Sequence, residues 1–356
     1  MNVTLCPADR LTDAQVEHWS QLQAANPNLR NPFFHPDYAR EAAAVWGNVE
    51  VGIVEDGGEP VGYFPFQRTA RNVGRPVGGL LCDCQGLIAA PGFTWDAAAL
   101  VRGCRLSGWR FTQLIASQQP FRQYHWRTAE AHSLDLSGGF DAYCRQRREA
   151  GSVFIPKLQT KQRKAIREVG PLCVEAATED PQVLDSLIEW KSEQYRRNSA
   201  VNYLTKPGTL DLIKRLLARK NEEFRGMLSA MYLGDHLVAV SLGLRCRNVL
   251  HGWFISYNEE FAKYSPGSAS LVEFARAAAE MGIERFDLGR GDELFKTSLR
   301  SFGTPVAEGA VGLGLLSSSL GRTWLHTKHW VESSRLRTPA RSVVRKIRGL
   351  FLRTSN

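Results

Sequence analysis

The second half of the chain shows a hydrophobic pattern that changes from a strand period to a helix period. An apolar strand is predicted at 249–257, and a polar loop leads from it into a helix whose apolar residues recur at helical spacing from Leu271 to Met281. Gly282 is expected to end this helix, and a short strand is predicted at 283–288. The pattern therefore predicts a strand–loop–helix–strand unit.

Small residues stand at the start of the predicted helix, at Gly267, Ser268 and Ala269. Small side chains let a ligand approach the free N–H groups of a helix start, where the helix dipole favours an anion such as a phosphate. An ordinary turn with a serine cap is the alternative interpretation. A dinucleotide-binding fingerprint is not supported, because the Gly289–Gly291 run lacks a third glycine at the required spacing.

The same order of elements occurs twice along the chain. A strand–turn–strand hairpin is predicted at 54–63 and again at 232–240, and each is followed by a helix start at a Pro-Gly pair, Pro91-Gly92 and Pro266-Gly267. Each of these helices is expected to end at a glycine that precedes an Arg-Phe strand. We therefore predict two similar domains packed as a pair. Their predicted bounds are 1–150 and 151–320, followed by a tail at 321–356.

Five segments carry a family resemblance: Phe33–Pro36, Asp83–Gly86, Lys161–Gly170, Tyr264–Gly267, and Asp287–Gly291 with Lys296. Their order resembles the GCN5-related N-acetyltransferase (GNAT) family, and the duplication resembles the tandem form of that fold in Fem-type aminoacyl transferases. More narrowly, the chain resembles the cellulose-biosynthesis acetyltransferases of the CelD/BcsL type. The resemblance implies an α/β fold of two tandem GNAT-like domains, each a mixed, mostly antiparallel sheet flanked by helices.

The resemblance also implies a cofactor site. Family members have a phosphate loop of the form Gln/Arg-x-x-Gly-x-Gly/Ala; its last three positions are kept here, and Tyr264 replaces the leading basic or amide residue. The implied co-substrate is acyl-CoA, in the simplest case acetyl-CoA, and no metal is implied. The predicted cofactor-binding residues are Tyr264, Gly267, Ser268, Ala269 and Ser270.

Acyl transfer to an amine or hydroxyl requires a positioned thioester, a deprotonated nucleophile and stabilisation of the oxyanion. Lys296 matches the lysine of the Fem-like pattern and is predicted to stabilise negative charge, with a surface lysine as the alternative. Asp287 is a candidate base or orienting residue, and a satisfied structural aspartate is the alternative. His251 and Tyr257 are expected near the reacting amine, although a lone strand histidine is more often structural.

The acceptor site is predicted where the two halves meet, because the first half of such tandem proteins builds the acceptor pocket. A basic cluster between residues 143 and 169 favours a phosphate-bearing acceptor, such as a nucleotide sugar or lipid-linked sugar, with a solvated helix as the alternative. His35 has a helix-entry staple as its alternative role. The predicted substrate-binding residues are His35, Asp83, Gln85, Lys161, Lys164 and Arg290.

Composition agrees with a globular protein of two domains. The chain has 356 residues, of which 43% are hydrophobic. Its seven cysteines form no C-x-x-C pair, so neither a disulfide framework nor zinc is predicted, and core thiols in a reducing cytoplasm are expected. No signal peptide is expected, and no apolar run is long enough to span a bilayer.

Charge is concentrated in the tail. The whole chain carries 45 minus 36, or +9, and residues 322–356 carry nine basic and one acidic residue, or +8. Apolar residues in 343–351 form one helical stripe beside basic residues, which predicts a helix that lies on an anionic membrane surface at the inner face of the cytoplasmic membrane. A solvated or partner-docked terminal helix is the alternative. No nucleic-acid partner is expected, because no reading module is present.

The resemblance implies an acyl-CoA-dependent acyltransferase that acts on a carbohydrate or sugar precursor in bacterial envelope or exopolysaccharide biosynthesis. Two other classes stay open. One is a non-catalytic accessory protein of a polysaccharide-synthesis complex. The other is a Fem-type aminoacyl-tRNA-dependent transferase, although no coiled-coil stretch supplies the helical hairpin that such enzymes often carry.

Overall fold

The computed structural model describes residues 1–312. The predicted tail at 321–356, with its amphipathic helix, lies outside the described residues. The strands are β1 (Asn2–Pro7), β2 (Val49–Asp56), β3 (Glu59–Arg68), β4 (Val73–Arg75), β5 (Ile88–Ala89), β6 (Gly108–Ile115), β7 (His125–Asp135), β8 (Leu172–Glu175), β9 (Phe224–Leu233), β10 (His236–Cys246), β11 (Val249–Tyr257), β12 (Arg285–Arg290) and β13 (Phe302–Val311). The α-helices are α1 (Asp13–Ala25), α2 (Pro36–Trp46), α3 (Ala97–Gly103), α4 (Phe140–Glu149), α5 (Phe154–Glu168), α6 (Pro181–Arg197), α7 (Thr209–Ala218), α8 (Pro266–Glu280) and α9 (Leu294–Leu299).

All of these strands belong to one continuous sheet. The order is β1-β2-β3-β4-β6-β13-β7-β12-β11-β10-β9-β8, and β5 pairs with β3. Strands β4 and β6 pair in parallel, as do β11 and β12, and the other described pairs are antiparallel. A mixed, mostly antiparallel sheet flanked by helices was predicted, and this fold class is confirmed.

The two predicted halves share the middle of this sheet. Strand β13 lies between β6 and β7, and β7 pairs with β12, so strands from before and after residue 150 alternate there. The division of the chain at residue 150 stays a prediction. The shared strands bring side chains from both halves onto one sheet surface.

Both predicted hairpins are present, but the two helices that follow them differ. The turn between β2 and β3 contains Gly57 and Gly58 at positive φ, and Gly234 has φ of 56° between β9 and β10. The predicted helix start at Pro91-Gly92 is wrong: α3 begins at Ala97, because the Asp96 side chain caps it by accepting from the backbone N–H of Ala99 at 2.7 Å. Only the second half has a long helix, α8, at this place.

Helices pack on both faces of the sheet formed by β9–β11. Ala230 and Met231 are adjacent in β9, so their side chains point to opposite faces. Ala230 packs in a core with Leu187 of α6, whereas Met231 packs in a core with Ala275 of α8. Helices α6 and α8 therefore approach β11 from opposite sides. None of the helices within residues 1–312 is long and apolar enough to cross a membrane.

Strands β11 and β12 diverge soon after they begin to pair. Their parallel ladder covers three residues on each strand, Val249–His251 with Arg285–Asp287. Beyond it, Gly289 has φ of 69° where the register of β12 against β7 shifts, and Trp253 is the extra residue of a β-bulge in β11. The two strands consequently form a V-shaped gap.

Candidate active site

A cavity of about 530 Å³ occupies the gap between β11 and β12. We call it the strand-gap cavity. Its lining includes Lys191 and Gln194 of α6, Asn198 just after α6, Ser241 of β10, Gly252, Trp253 and Tyr257 of β11, Ser265, Pro266, Gly267 and Ser268 at the start of α8, Leu288 of β12, and Phe295 and Lys296 of α9. Because α6 and α8 lie on opposite faces of the sheet, this cavity passes through the gap from one face to the other.

The start of α8 forms one end of the strand-gap cavity. Ser265 adopts a left-handed conformation with φ of 58°, and its carbonyl oxygen accepts from the N–H groups of Ser268 and Ala269 at 3.2 and 3.0 Å. A Cβ atom at Gly267 would lie 2.7 Å from Cδ1 of Tyr257, so glycine is required here by close packing against that ring. The helix dipole makes this end of the cavity suitable for an anion.

A basic residue of α5 adds to this positive end. The Nζ atom of Lys161 donates to Oγ of Ser265 at 2.7 Å. The structure therefore brings Lys161 to the predicted phosphate loop and not to a separate acceptor site. Lys164 is exposed and lies 3.7 Å from a carboxylate oxygen of Glu168. Its predicted role in substrate binding stays a prediction.

Three of the predicted cofactor-binding residues do not line the cavity. Tyr264, Ala269 and Ser270 are buried, with 4%, 2% and 0% of their surface exposed. The hydroxyl of Tyr264 donates to Glu168 at 2.6 Å, which ties the loop before α8 to the end of α5. The apolar side of α8 that packs into the core includes Ala269, so its side chain faces away from the gap.

Lys296, which follows β12, lines the strand-gap cavity, and its catalytic role stays a prediction. Its Nζ atom donates to the carbonyl oxygen of Arg290 at 2.8 Å and lies 3.5 Å from a carboxylate oxygen of Glu293. These contacts hold a cation beside the place where β11 and β12 separate. Tyr257 lines the same cavity. Burial raises the pKa of its phenol, and the negative charge of Glu259 raises it further.

A second lysine in the cavity, Lys191, was missed in the sequence. Its Nζ atom donates to the carbonyl oxygen of Ile255 and to Oε1 of Gln194, both at 2.9 Å. Burial, followed by the positive charge of Lys296, lowers the pKa of Lys191 to about 8. The available signal was its spacing: it follows Leu187 by four positions, which places a lysine on the apolar stripe of α6.

A buried polar cluster lies on the sheet where the two halves meet. The imidazole of His251 lies between Asp83 and Asn31, with Nε2 3.1 Å from Oδ2 of Asp83 and Nδ1 3.2 Å from Nδ2 of Asn31. The carboxylate of Asp287 accepts from Ser133 Oγ at 2.6 Å, from Asn31 Nδ2 at 3.0 Å and from the Arg285 guanidinium at 2.9 Å. Its members come from both halves of the chain.

The hydrogen bonds around His251 determine which of its two ring nitrogens carries the proton. Oδ1 of Asn31 accepts from the backbone N–H of Phe33 at 3.1 Å, so its Nδ2 group must face Asp287 and His251. A donor opposite Nδ1 requires a lone pair there, and neutral His251 therefore carries its proton on Nε2 and donates it to Asp83. The phenyl ring of Phe33 contacts the imidazole edge-on, with centroids 5.1 Å apart.

This cluster lines a separate cavity of about 240 Å³, here called the junction cavity. His251 and Asp287 alternate with Gly252 and Leu288, which line the strand-gap cavity. The two predicted catalytic side chains therefore point away from the strand-gap cavity. Asp287 is satisfied by three hydrogen-bond donors, which favours its structural role over that of a base.

Three predicted substrate-binding residues have structural contacts instead, and none of them lines the strand-gap or the junction cavity. His35 caps α2 by accepting at Nδ1 from the backbone N–H of Asp37 at 3.2 Å, and its ring stacks on Phe224. Gln85 accepts from the backbone N–H groups of 112 and 113, and Arg290 donates to the carbonyl oxygen of Thr112 at 3.1 Å. Asp83, in contrast, lines the junction cavity.

The match to known proteins agrees with this geometry. Residues 157–297 match the model of a family described as an acetyltransferase (GNAT) domain. Within residues 1–312 no group of three or more metal-ligating side chains occurs. The strand gap and the start of α8 both lie inside the matched range, so this part of the chain is similar to a GNAT acetyltransferase domain.

Two solved structures show the same overall fold. FemX superposes with a TM-score of 0.56 at 10% sequence identity, over 86% of this chain and 96% of that one. The C-terminal domain (DUF2156) described as that of a lysylphosphatidylglycerol synthetase from Agrobacterium fabrum superposes with a TM-score of 0.53 at 12% identity, over 89% of this chain and 95% of that one. Among curated proteins there is no significant match.

Proposed function

We propose that this protein is an acyltransferase that takes its acyl group from acyl-CoA bound in the strand-gap cavity. The observation that carries the proposal is the path of this cavity, which runs from the start of α8, through the gap between β11 and β12, to the face covered by α6. An acyl donor held on one face can meet an acceptor that enters from the other. The matched acetyltransferase domain supports the same reaction class.

The residues at the α8 end fit the phosphates of a nucleotide thioester. A helix N-terminus and the Lys161 ammonium both favour a diphosphate there. Bound acyl-CoA would supply an activated thioester carbonyl. Lys296 would stabilise the negative charge that develops on the acyl oxygen, because its ammonium lies beside the gap.

The acceptor is proposed to be a carbohydrate or sugar precursor. On the α6 face the cavity presents two neutral polar groups, Gln194 and Asn198, together with the aromatic side chain of Trp253. Sugar hydroxyls both donate and accept hydrogen bonds, and the C–H faces of a sugar ring pack on aromatic rings, so this lining suits a sugar. The proposed setting, envelope or exopolysaccharide synthesis, rests on the sequence resemblance.

The test is an acetyl-transfer assay that follows release of free thiol from acetyl-CoA. Neutral and phosphorylated sugars, amino sugars and simple amines are supplied as acceptors. We expect thiol release that depends on a sugar acceptor, is lost in Lys296→Met and is kept in Lys214→Met, a change at an exposed lysine of α7. Release that is insensitive to Lys296, or that responds only to non-sugar amines, would contradict the reaction site or the acceptor class, respectively.

A further inference from the structure

Lys191 approaches the strand gap from the side opposite the phosphate loop. Helix α6 packs on the face of β9–β11 that is opposite to α8, and Lys191 extends from it to the carbonyl oxygen of Ile255 in β11. The side chain is partly buried and lines the strand-gap cavity. It is therefore on the face from which an acceptor would enter.

The hydrogen bonds of Lys191 suit a neutral amine. An ammonium has three N–H groups, whereas a neutral amine has two N–H groups and one lone pair. The carbonyl oxygen of Ile255 and Oε1 of Gln194 accept two hydrogens at 2.9 Å each. Both hydrogen bonds are kept when the ammonium loses its third proton. The neutral Nζ atom then has one free lone pair, on a residue that lines the strand-gap cavity.

The charges around Lys191 do not hold it as a cation. Burial has the largest effect on the pKa of Lys191, and it lowers this pKa. Of the two charged residues beyond β12, Lys296 lowers the pKa further and Glu293 raises it. Its acidic neighbour on α6, Glu193, lies 4.0 and 3.8 Å from Arg196 and Arg197. Within residues 1–312 no carboxylate oxygen lies within 4.0 Å of the Lys191 nitrogen in an ion pair.

The phenols of two tyrosines are further titratable groups near Lys191. The ring centroid of Tyr195 lies 5.4 Å from the Lys191 nitrogen, and Tyr257 lines the same cavity. Burial raises the pKa of Tyr195 to about 12, and it also raises the pKa of Tyr257. Both phenols stay protonated near neutral pH, so neither competes with Lys191 for the role of a base.

We propose that Lys191 is the general base that takes the proton from the attacking hydroxyl or amino group of the acceptor. This inference rests on the proposed acyltransferase function. The acceptor atom forms a bond to the acyl carbon and gives its proton to Nζ, while the carbon–sulfur bond breaks and its electron pair leaves on sulfur. The proton then passes from Nζ to the thiolate or to water, which restores the neutral amine.

The lowered pKa of Lys191, about 8, places the free base within reach of neutral solution. Since the amine must be unprotonated to act, kcat/KM should rise with pH and level off above an inflection near 8. Lys191→Met should lose that inflection and reduce kcat by about 10²–10⁴-fold, with unchanged affinity for acetyl-CoA. Lys191→Arg, which keeps the charge and cannot act as a base, should be equally slow.

Lys214→Met is the matched control, because Lys214 is exposed on α7 and lines neither the strand-gap nor the junction cavity, so rate and pH profile should be unchanged. A Lys191→Met enzyme with turnover within about twofold of the parent, or with the same inflection, would overturn the assignment. If the parent protein does not bind acetyl-CoA, that result contradicts the proposed function and not the assignment of Lys191.

A measurement on the free protein tests the base without any acceptor. Competitive labelling of lysine amines with an acylating reagent, read by mass spectrometry across a pH series, gives the pKa of each lysine. Lys191 is expected to titrate near 8, well below the usual value for lysine of about 10.4. Titration of Lys191 at that usual value would overturn the proposal whether or not an acceptor has been found.

Discussion

The Nε2 atom of His251 lies 3.1 Å from Oδ2 of Asp83, although 168 positions separate the two residues in the chain. The pair joins β11 to the loop before β5, and Asn31 from a third segment completes it at Nδ1. Three distant segments therefore share one buried hydrogen-bond network. This network fixes the junction between the halves more directly than any local element does.

The network predicts a large effect of an almost isosteric change. Asn31→Asp replaces the donor that faces Asp287 and His251 with a carboxylate, and this places two acids 3.0 Å apart. Loss of these buried bonds should reduce the free energy of unfolding by about 2–4 kcal/mol. Denaturant unfolding measures the change, and Asn28→Asp in the exposed part of the same loop is the control. Equal stability of both variants would refute the network.

A second prediction concerns pH and His35. Burial lowers the pKa of His35 in the folded chain, and the positive charges of Arg247 and Arg219 lower it further, to about 3. In the unfolded chain its pKa is about 6.5, so the unfolded state binds the extra proton between these values. Stability is therefore full above pH 6.5 and decreases as pH falls from 6.5 towards 3.

His35→Gln removes this titration and keeps an oxygen that can cap α2. Between pH 6.5 and 5 the parent should lose about 1.5 kcal/mol more stability than the variant. Urea unfolding at several pH values makes the comparison. Parallel pH dependence of the two proteins would show that His35 is protonated in the folded state.

A third prediction uses the contact between Gly267 and Tyr257. In Gly267→Ala the new Cβ would lie 2.7 Å from Cδ1 of the ring, so the ring must move within the strand-gap cavity. Acetyl-CoA affinity should fall roughly tenfold, because overpacking typically costs 1–3 kcal/mol. Ser268→Ala adds no bulk and should bind as the parent does. Calorimetry on both variants decides; equal affinities would mean that the ring does not border the ligand.

Lys296 is predicted to act in the transition state. Lys296→Met should lower kcat by about 10²–10³-fold with little change in acetyl-CoA affinity. Because the Lys296 charge lowers the pKa of Lys191, its removal should also move the inflection of the pH profile upward. Steady-state kinetics across pH test both effects. A variant that loses only acetyl-CoA affinity would indicate a binding role.

The fold was predictable where local pattern and element order carry it. The strand at 249–257 matches β11 in both bounds, and α8 follows the predicted glycine loop. The first-half helix was wrong, because the cap at Asp96 displaces its start by several residues from Gly92. Periodicity predicts that a helix exists more reliably than where it starts.

The site was predictable only in part, for a physical reason. Lys296 and Gly267 were predicted as site residues from their position beside recognisable loops and from the family resemblance, and both line the strand-gap cavity. Lys191 and Asn31 acquire their roles from contacts with strands far along the chain, which no local spacing encodes. His251 was assigned to the correct strand, but its side chain faces the junction cavity.

The central claim, that acyl-CoA binds at the start of α8, is tested most directly by calorimetric titration with acetyl-CoA. Ser268→Glu places a carboxylate at the phosphate end of the cavity, so binding should be abolished while the thermal unfolding transition is kept. Gln182→Glu, which adds the same charge at an exposed position in the first turn of α6, should bind as the parent does. Tight binding by the folded Ser268→Glu protein, or no binding by the parent, would contradict the account.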